Sequence, residues 1–569
     1  MSTDEAHARV RETDEGLRIE YLADGPTTVR QSAQEIPRLN VTDEMLRDSG
    51  ENPQSWLMYG GDYAQQRFTT ADAIRPRNVD RLSLEYTIEV GETGRGKLEG
   101  TPVVVPSDPP VMYQTNGPDE LRAVNARSGE VIWTYRYAPA EQGPDEAAAL
   151  LCCGSNNRGV AVLGDTLYMT TLDANVVAID RYTGEQRWLY DSAPTRQGYS
   201  ATWAPVVYDG SILNGSAGGE YGIRGFVESI DAESGEREWR TWTTPQDQWI
   251  GDAWRNGAAP NWMTITVDSS RDILYASMGN AGPDVNGIVR PGPNVYTAAV
   301  LALDTSSGDV EWYFQESPHG WWDWDASAPP VLFDAEVDGE TQRVVSHAGK
   351  TGWNYLLGAE DGKLHERSDE FSQHLNMWSL PQDTLEDTPW IMPSADGGSE
   401  WNPTSYSRET GNVHVKAMNY PSKFQWDEVD EWQYPSTYLG GSFTVYPAMD
   451  DPGPAPDEWN GQKAIFSALD PVSGEVVWQD EWEEFAMGGS MSTATGLTFT
   501  GNGDGEFIAY DSATGDRLWQ YQFDAAVNSS PMSWYDPGVR KQYVAVQAGG
   551  GGLRSASDGN TVGVFSLER

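Results

Sequence analysis

Two cysteines stand side by side in LLCCGSNNRG, Cys152 and Cys153, and they are the chain's only thiols. Consecutive Cα atoms lie about 3.8 Å apart, below the roughly 4.4–6.8 Å of an ordinary disulfide, so a bond between them would be a strained eight-membered ring. Such a ring closes no loop and adds nothing through chain entropy, so its use would be as a rigid surface against something flat. Two buried thiols are the plain alternative. Carboxylates give a second signal. Glu220 lies in SAGGEYGIRG, a Gly-rich turn in which backbone can approach a ligand, and SPHGWWDWDA alternates Asp323 and Asp325 with Trp322 and Trp324. A period of two puts both aspartates on one side and both tryptophans on the other. Two carboxylates on one face, with a third from another loop, suit a hard cation bound through oxygen, because only His319 offers a nitrogen ligand nearby. In a chain with 86 acidic residues, coincidence is the competing explanation.

That acidity limits the partners. The 86 acids face 38 basic residues, of which seven are Lys and 31 Arg, leaving a formal charge of −48. Such a surface is repelled by nucleic acid phosphate and by anionic lipid, so the expected substrate is small and neutral. Scarce Lys with Asp and Glu spread along the chain reads as adaptation to high salt. The 24 Trp, 26 Tyr and 13 Phe exclude an acidic disordered chain. No apolar stretch reaches the roughly 18 residues of a membrane span, and the first 20 residues have neither the basic nor the apolar part of a signal peptide.

An eleven-residue phrase shows what must position these groups. AVNARSGEVIW (123–133), AIDRYTGEQRW (178–188), SIDAESGEREW (229–239), ALDTSSGDVEW (302–312), ALDPVSGEVVW (468–478) and AYDSATGDRLW (509–519) each read as strand, turn, strand. Asp or Asn and the small polar residues supply turn hydrogen bonds, Gly a left-handed position, and the closing Trp packs on the next copy. Such a unit cannot bury its own face alone. The interval of 166 between the fourth and fifth copies is about three ordinary spacings, so two degenerate copies are expected within it. LLGAEDGKLHE (356–366) is one, and the other is expected in 401–460. The predicted fold is all-β, an eight-bladed β-propeller over 51–569, with LSLEYTIEV (82–90) pairing the last strands to close the ring. Residues 1–50 read as an acidic N-terminal extension. LEGTP (98–102), the cysteine loop, the Glu220 turn and the Asp323 loop all flank repeats and are expected to converge at one end of the channel.

Together these features resemble the quinoprotein alcohol dehydrogenases, the pyrroloquinoline quinone (PQQ) dependent family that includes methanol dehydrogenase. The resemblance runs from WLMYGGDYAQQRF (56–68) onward, and the CC-x4-R spacing with EYGIRG is its most specific part. It implies that Cys152 and Cys153 form the disulfide ring against one face of the quinone and that Trp262 stacks on the other. Glu99, Arg158, Thr202 and the Gly218 and Gly219 backbone would bond the quinone's oxygens. Glu220, Asn280, Asp323 and Asp325 would hold one metal ion. Asp323 would be the general base, and Lys350 would reach the quinone where several relatives have Arg. Asp325 matches an aspartate of the lanthanide-type methanol dehydrogenases, so a lanthanide is expected ahead of Ca²⁺, in keeping with three carboxylates around the ion.

The family implies PQQ-dependent oxidation of an alcohol to an aldehyde in an extracytoplasmic compartment, possible as a homodimer. No CxxCH occurs in these 569 residues, so a separate electron acceptor, a cytochrome or small copper protein, is expected. The alternatives are a sugar or polyol dehydrogenase and a non-catalytic propeller scaffold, the latter leaving the cysteine pair, Glu220 and Asp323 unexplained together. Departures from the family fall at Pro260, at Glu400 where an Asn usually precedes the Trp, at Met487 and at Leu553, and they concern the substrate pocket and part of the quinone contact, leaving the metal site untouched.

Overall fold

The computed structural model describes residues 8–13, 16–22, 25–90, 98–139, 150–151, 154–447, 454–485, 487–549 and 559–568. Six of the repeated phrases fold identically. In each, the first residue pairs with the closing Trp across an antiparallel ladder with a one-residue bulge, as in Ala178 with Trp188 and Ala302 with Trp312. The Asp side chain accepts the turn's backbone N–H groups, at 2.9 Å from both Tyr182 and Thr183 for Asp180. The turn glycine has positive φ, 76° at Gly184 and 73° at Gly308. A side chain there would also collide with the preceding blade, because a Cβ on Gly184 meets Trp133 at 2.8 Å and one on Gly308 meets Trp239 at 2.4 Å. The same relation joins Trp188 to Gly235, Trp312 to Gly362 and Trp478 to Gly515. Each tryptophan therefore plugs the gap that the next glycine leaves open. Several also donate their indole N–H to the next blade, as Trp239 does to the Thr305 carbonyl at 2.9 Å.

The blades are eight four-stranded antiparallel units, and the predicted propeller is borne out. Seven span 103–136, 161–191, 206–242, 266–315, 331–367, 405–482 and 490–522. The eighth is made by Met532–Asp536, Lys541–Gly549 and Asn560–Leu567 with Leu82–Glu89 as its outer strand. Ring closure by 82–90 is thus as expected. The distribution of repeats is not. LLGAEDGKLHE is a true copy, with Glu366 in the tryptophan's place opposite Leu356 and against Gly474 of the next blade. The second degenerate copy expected in 401–460 does not exist. That stretch belongs to the sixth blade, whose own phrase is ALDPVSGEVVW, and an insertion between Val413–Met418 and Ala464–Leu469 lengthens the interval. The blade without a phrase is the one the two ends of the ring share.

Before residue 51, Thr27–Arg30 adds a fifth strand to the first blade. Ala8–Thr13 and Gly16–Tyr21 form a hairpin that pairs with Leu150–Leu151. No helix among the described residues is long and apolar enough to cross a membrane.

Candidate active site

Strand order dictates where the loops go. The repeat turns join third to fourth strands at one end of the ring. Connections between blades, and those between second and third strands, emerge at the other end. Every described residue singled out from the sequence is on a loop of that second kind: Glu99, Arg158, Thr202, Trp262, Asp323 and Asp325 between blades, and Gly218, Gly219, Glu220, Asn280 and Lys350 between second and third strands. Cys152 and Cys153 lie outside the described residues, and so does Leu553.

The site has two halves. In the first, buried Arg158 donates to Glu99 at 2.7 Å and to the Thr202 hydroxyl at 2.8 Å. Its guanidinium lies 4.3 Å from the Trp401 ring centroid and 5.6 Å from that of Trp262. Its Nε is buried without a hydrogen-bond partner. A flat cation between two indoles, with half-buried Thr202 and Trp262 facing the cleft, suits a planar ligand bearing oxygens.

The second half is built around Lys350. Its ammonium donates to the Asp323 carbonyl at 2.9 Å and stands 3.4 Å from the Asp323 carboxylate, 3.7 Å from Glu400 and 4.0 Å from Asp325. Burial alone would lower this lysine, but Asp323, Asp325, Glu400 and Asp396 reverse the effect and hold it above its ordinary value. Asp325 links the halves, accepting the Trp262 indole N–H at 2.9 Å and the Asn280 backbone N–H at 2.6 Å. Glu220 and Asp323 are half-buried, whereas Asp325, Asn280 and Lys350 are buried.

Burial, and then the other acids, push Asp323 well above the usual carboxylate range, with Lys350 opposing. Burial and Asp325 raise Glu220. Burial raises Glu400 to about 7 despite Lys350. So many neighbouring carboxylates cannot all ionise against one ammonium. Among the described residues, no three acidic, His or Cys side chains stand close enough to grip one ion unaided. The donor set still fits a hard cation: it is all oxygen, it is in excess of its local positive charge, and Asp284 adds a buried carboxylate oxygen with no partner.

The aspartates do face one side, though not through a strand. No regular element covers 316–330; Asp323 adopts φ 57°, and the Asp325 N–H bonds the Asp323 carbonyl at 3.2 Å. Trp322 and Trp324 stack with centroids 4.7 Å apart and anchor their N–H groups on the carbonyls of Ser379 and Ser394. Trp378, at the mouth, meets both edge-on. Gly218 has its own structural reason, since a Cβ would strike the Gly198 carbonyl at 2.0 Å, while Gly219 lies against the Asn280 amide. The insertion of the sixth blade covers this end. The Tyr438 N–H bonds the Glu220 carbonyl at 2.7 Å, the Leu439 carbonyl accepts from Val285 at 2.9 Å, and Trp432 rests on Gly222.

A family model described as glucose/ethanol/alcohol dehydrogenase, beta-propeller domain, matches residues 56–163 and 192–367. The quinohemoprotein alcohol dehydrogenase ADH IIB of Pseudomonas putida is 29% identical over 93% of this chain and 78% of its own. The quinoprotein alcohol dehydrogenase PedH of Pseudomonas putida is 28% identical, covering 90% and 89%. A europium-containing methanol dehydrogenase superimposes with a TM-score of 0.82 at 25% identity, over 92% of this chain and 100% of that one. The chain belongs to the PQQ-dependent alcohol dehydrogenase family. A second model, described as outer membrane protein assembly factor BamB, matches only 462–562, the last two blades and the edge of the sixth.

As a quinoprotein alcohol dehydrogenase the chain is an enzyme, and the scaffold alternative falls away. Two acids of its site were not singled out from the sequence as site residues. Glu400, noted only as a departure, accepts the Trp401 backbone N–H at 2.6 Å and faces Lys350. Asp284 has no signal except its place four residues after Asn280 in a Gly/Pro-rich turn.

Proposed function

We propose that this quinoprotein oxidises a small neutral primary alcohol to the aldehyde, with Asp323 as the general base and a trivalent lanthanide rather than Ca²⁺ as its metal. The convergence of Asp323, Asp325 and Glu220 around Lys350 at one end of the ring carries the reading. When bound, the quinone takes up the hydride that leaves the alcohol carbon. The chain's residues do the rest. Arg158, Thr202 and Glu99 would meet its polar edge, with Trp262 beside its ring and Lys350 at its carbonyl oxygens. Glu220, Asn280, Asp323 and Asp325 would hold the cation. Asp323 regains its negative charge once a cation offsets its neighbours, and its carboxylate, which reaches the cleft, then accepts the hydroxyl proton. The φ of 57° at Asp323 aims it there from a loop braced by two anchored tryptophans. Electrons leave to a separate acceptor protein.

Reconstitution tests this reading. Purified protein in molar salt, given PQQ with La³⁺ or Ca²⁺, is assayed for dye-linked oxidation of primary alcohols, diols, sugars and aldehydes. Activity with an alcohol and La³⁺ is expected. Inactivity across the panel would sink the function, and higher activity with Ca²⁺ would sink the metal preference. Faster turnover of sugars would favour the sugar or polyol alternative.

A further inference from the structure

We infer that Asp284 is a fourth carboxylate ligand of the metal ion, and that the site is thereby built for a trivalent cation; this rests on the metal site of the proposed function. Asp284 is 2% exposed, and its Oδ1 is buried without a hydrogen-bond partner. The charges that act on it are those of Asp323, Glu220 and Asp325, and the Asn280 amide bonds its side chain. It is therefore hydrogen-bonded to one of the four residues that the family resemblance assigns to the ion and within electrostatic range of the other three.

Among the described residues a neighbouring cation, Arg290, makes no ion pair with this carboxylate and directs its donors elsewhere. Arg290 is fully buried, and its guanidinium donates to the carbonyls of Pro283 at 2.9 Å and Asp284 at 3.0 Å, to the Gly320 carbonyl at 2.5 Å and to the Asn294 side chain at 2.8 Å. It ties the Asp284 backbone to the loop of Asp323 and leaves the carboxylate free to point into the cluster. The Val285 N–H is held at 2.9 Å by the Leu439 carbonyl, and the Asn286 amide donates to the Asp427 carbonyl at 2.7 Å. The main chain around Asp284 is thus fixed on both sides. A buried carboxylate oxygen without a donor is tolerated when a cation takes it. Asp284, Asp323, Asp325 and Glu220, with Glu400 and Asp396 also acting on the one Lys350 ammonium, leave the site in excess of negative charge, which a trivalent ion offsets further than a divalent ion.

Europium luminescence of the full-length protein tests this without reference to turnover. Eu³⁺ alone is titrated into wild type, Asp284→Asn and Asp284→Ala, and emission lifetimes in H₂O and D₂O count the waters on the ion. Asp284→Asn should weaken Eu³⁺ binding at least tenfold, and Asp284→Ala should add one bound water. Equal affinity and equal water number in both variants would overturn the assignment. Should the variants not fold, anomalous diffraction from wild-type crystals soaked in Eu³⁺ decides, since the Asp284 carboxylate must lie about 2.3–2.6 Å from the ion, as hard-cation oxygen ligands do. A wild type that oxidises alcohol with PQQ and Eu³⁺ while Asp284 stands away from the ion refutes this inference alone. A wild type that binds no Eu³⁺ refutes the proposed metal site with it.

Discussion

Two groups of buried acids sit in this propeller, and they differ in what completes them. Asp119 accepts the Tyr21 hydroxyl at 2.6 Å, the Leu172 N–H at 2.9 Å and the Asn157 amide at 3.3 Å. Its neighbour Asp173 accepts Thr171 at 2.5 Å and Tyr137 at 3.0 Å. Burial raises both, Asp119 to about 7. Acids around Lys350 are raised as well, yet an oxygen of Asp284 has no partner among the described residues, and Asp323 and Glu220 are only half-buried. Burial and a raised pKa therefore do not mark a functional site by themselves. What separates the two is that neutral donors of the protein satisfy the first, whereas the second is short of positive charge and oriented towards a shared space.

The largest effect belongs to Asp323. Asp323→Ala should lower kcat about 10²–10⁴-fold, the span of a lost general base, with the bound quinone's absorbance intact; undiminished turnover would remove the catalytic half of the contrast. Asp119→Asn should act on stability alone. With a folded pKa of about 7 against an ordinary value of about 3.9, folded wild type holds a proton between pH 4 and 7 that the unfolded chain has released. Its stability therefore falls as pH rises through that window, by on the order of 2–4 kcal/mol, and denaturant melts of Asp119→Asn should lack the slope. Altered Eu³⁺ affinity in this variant would show that the two clusters are not separate.

A buried base sharpens the point with opposite sign. Among the described residues the Lys416 ammonium has no hydrogen-bond partner and lies 5.5 Å from the Trp482 ring, and burial lowers it to about 7 where acids hold Lys350 up. Wild-type stability should rise from pH 7 towards 10 as the unfolded chain releases its extra proton. Lys416→Met should melt higher at pH 7 by about 1–3 kcal/mol, the cost of an unsatisfied buried polar group, and the gain should shrink by pH 10. The smallest effect is that of Tyr21→Phe, about 1 kcal/mol by thermal melting with kcat unchanged.

The sequence carried the ring more openly than the site. Asp180, Gly184 and Trp188 each make a contact that their residue type requires, so the phrase that holds them could be read without coordinates. The blade count followed, but the eighth blade was sought in the wrong place, because an insertion lengthens an interval just as a decayed repeat does. Glu220, Asp323 and Lys350 were legible through flanking Gly and Trp residues and the family resemblance. The Glu220 and Asp323 loops were expected to converge at one end of the channel, and they do; the contact with Lys350 was not legible, since only strand order brings its loop to the same end. Asp284 and Glu400 were hidden among 86 acids. No local pattern tells a solvated carboxylate from one that a buried arginine has turned inward.

The shared eighth blade sets the order of events in the cell. Leu82–Glu89 is synthesised before the first seven blades, and its partner Asn560–Leu567 after them. Until that late strand emerges, the early one waits with an unpaired edge and the circle stands open, its first seven blades stacked like an unfastened collar. Quinone and ion can then be enclosed only once the eighth blade is made, so a chain truncated within that blade would leave the ring unfastened.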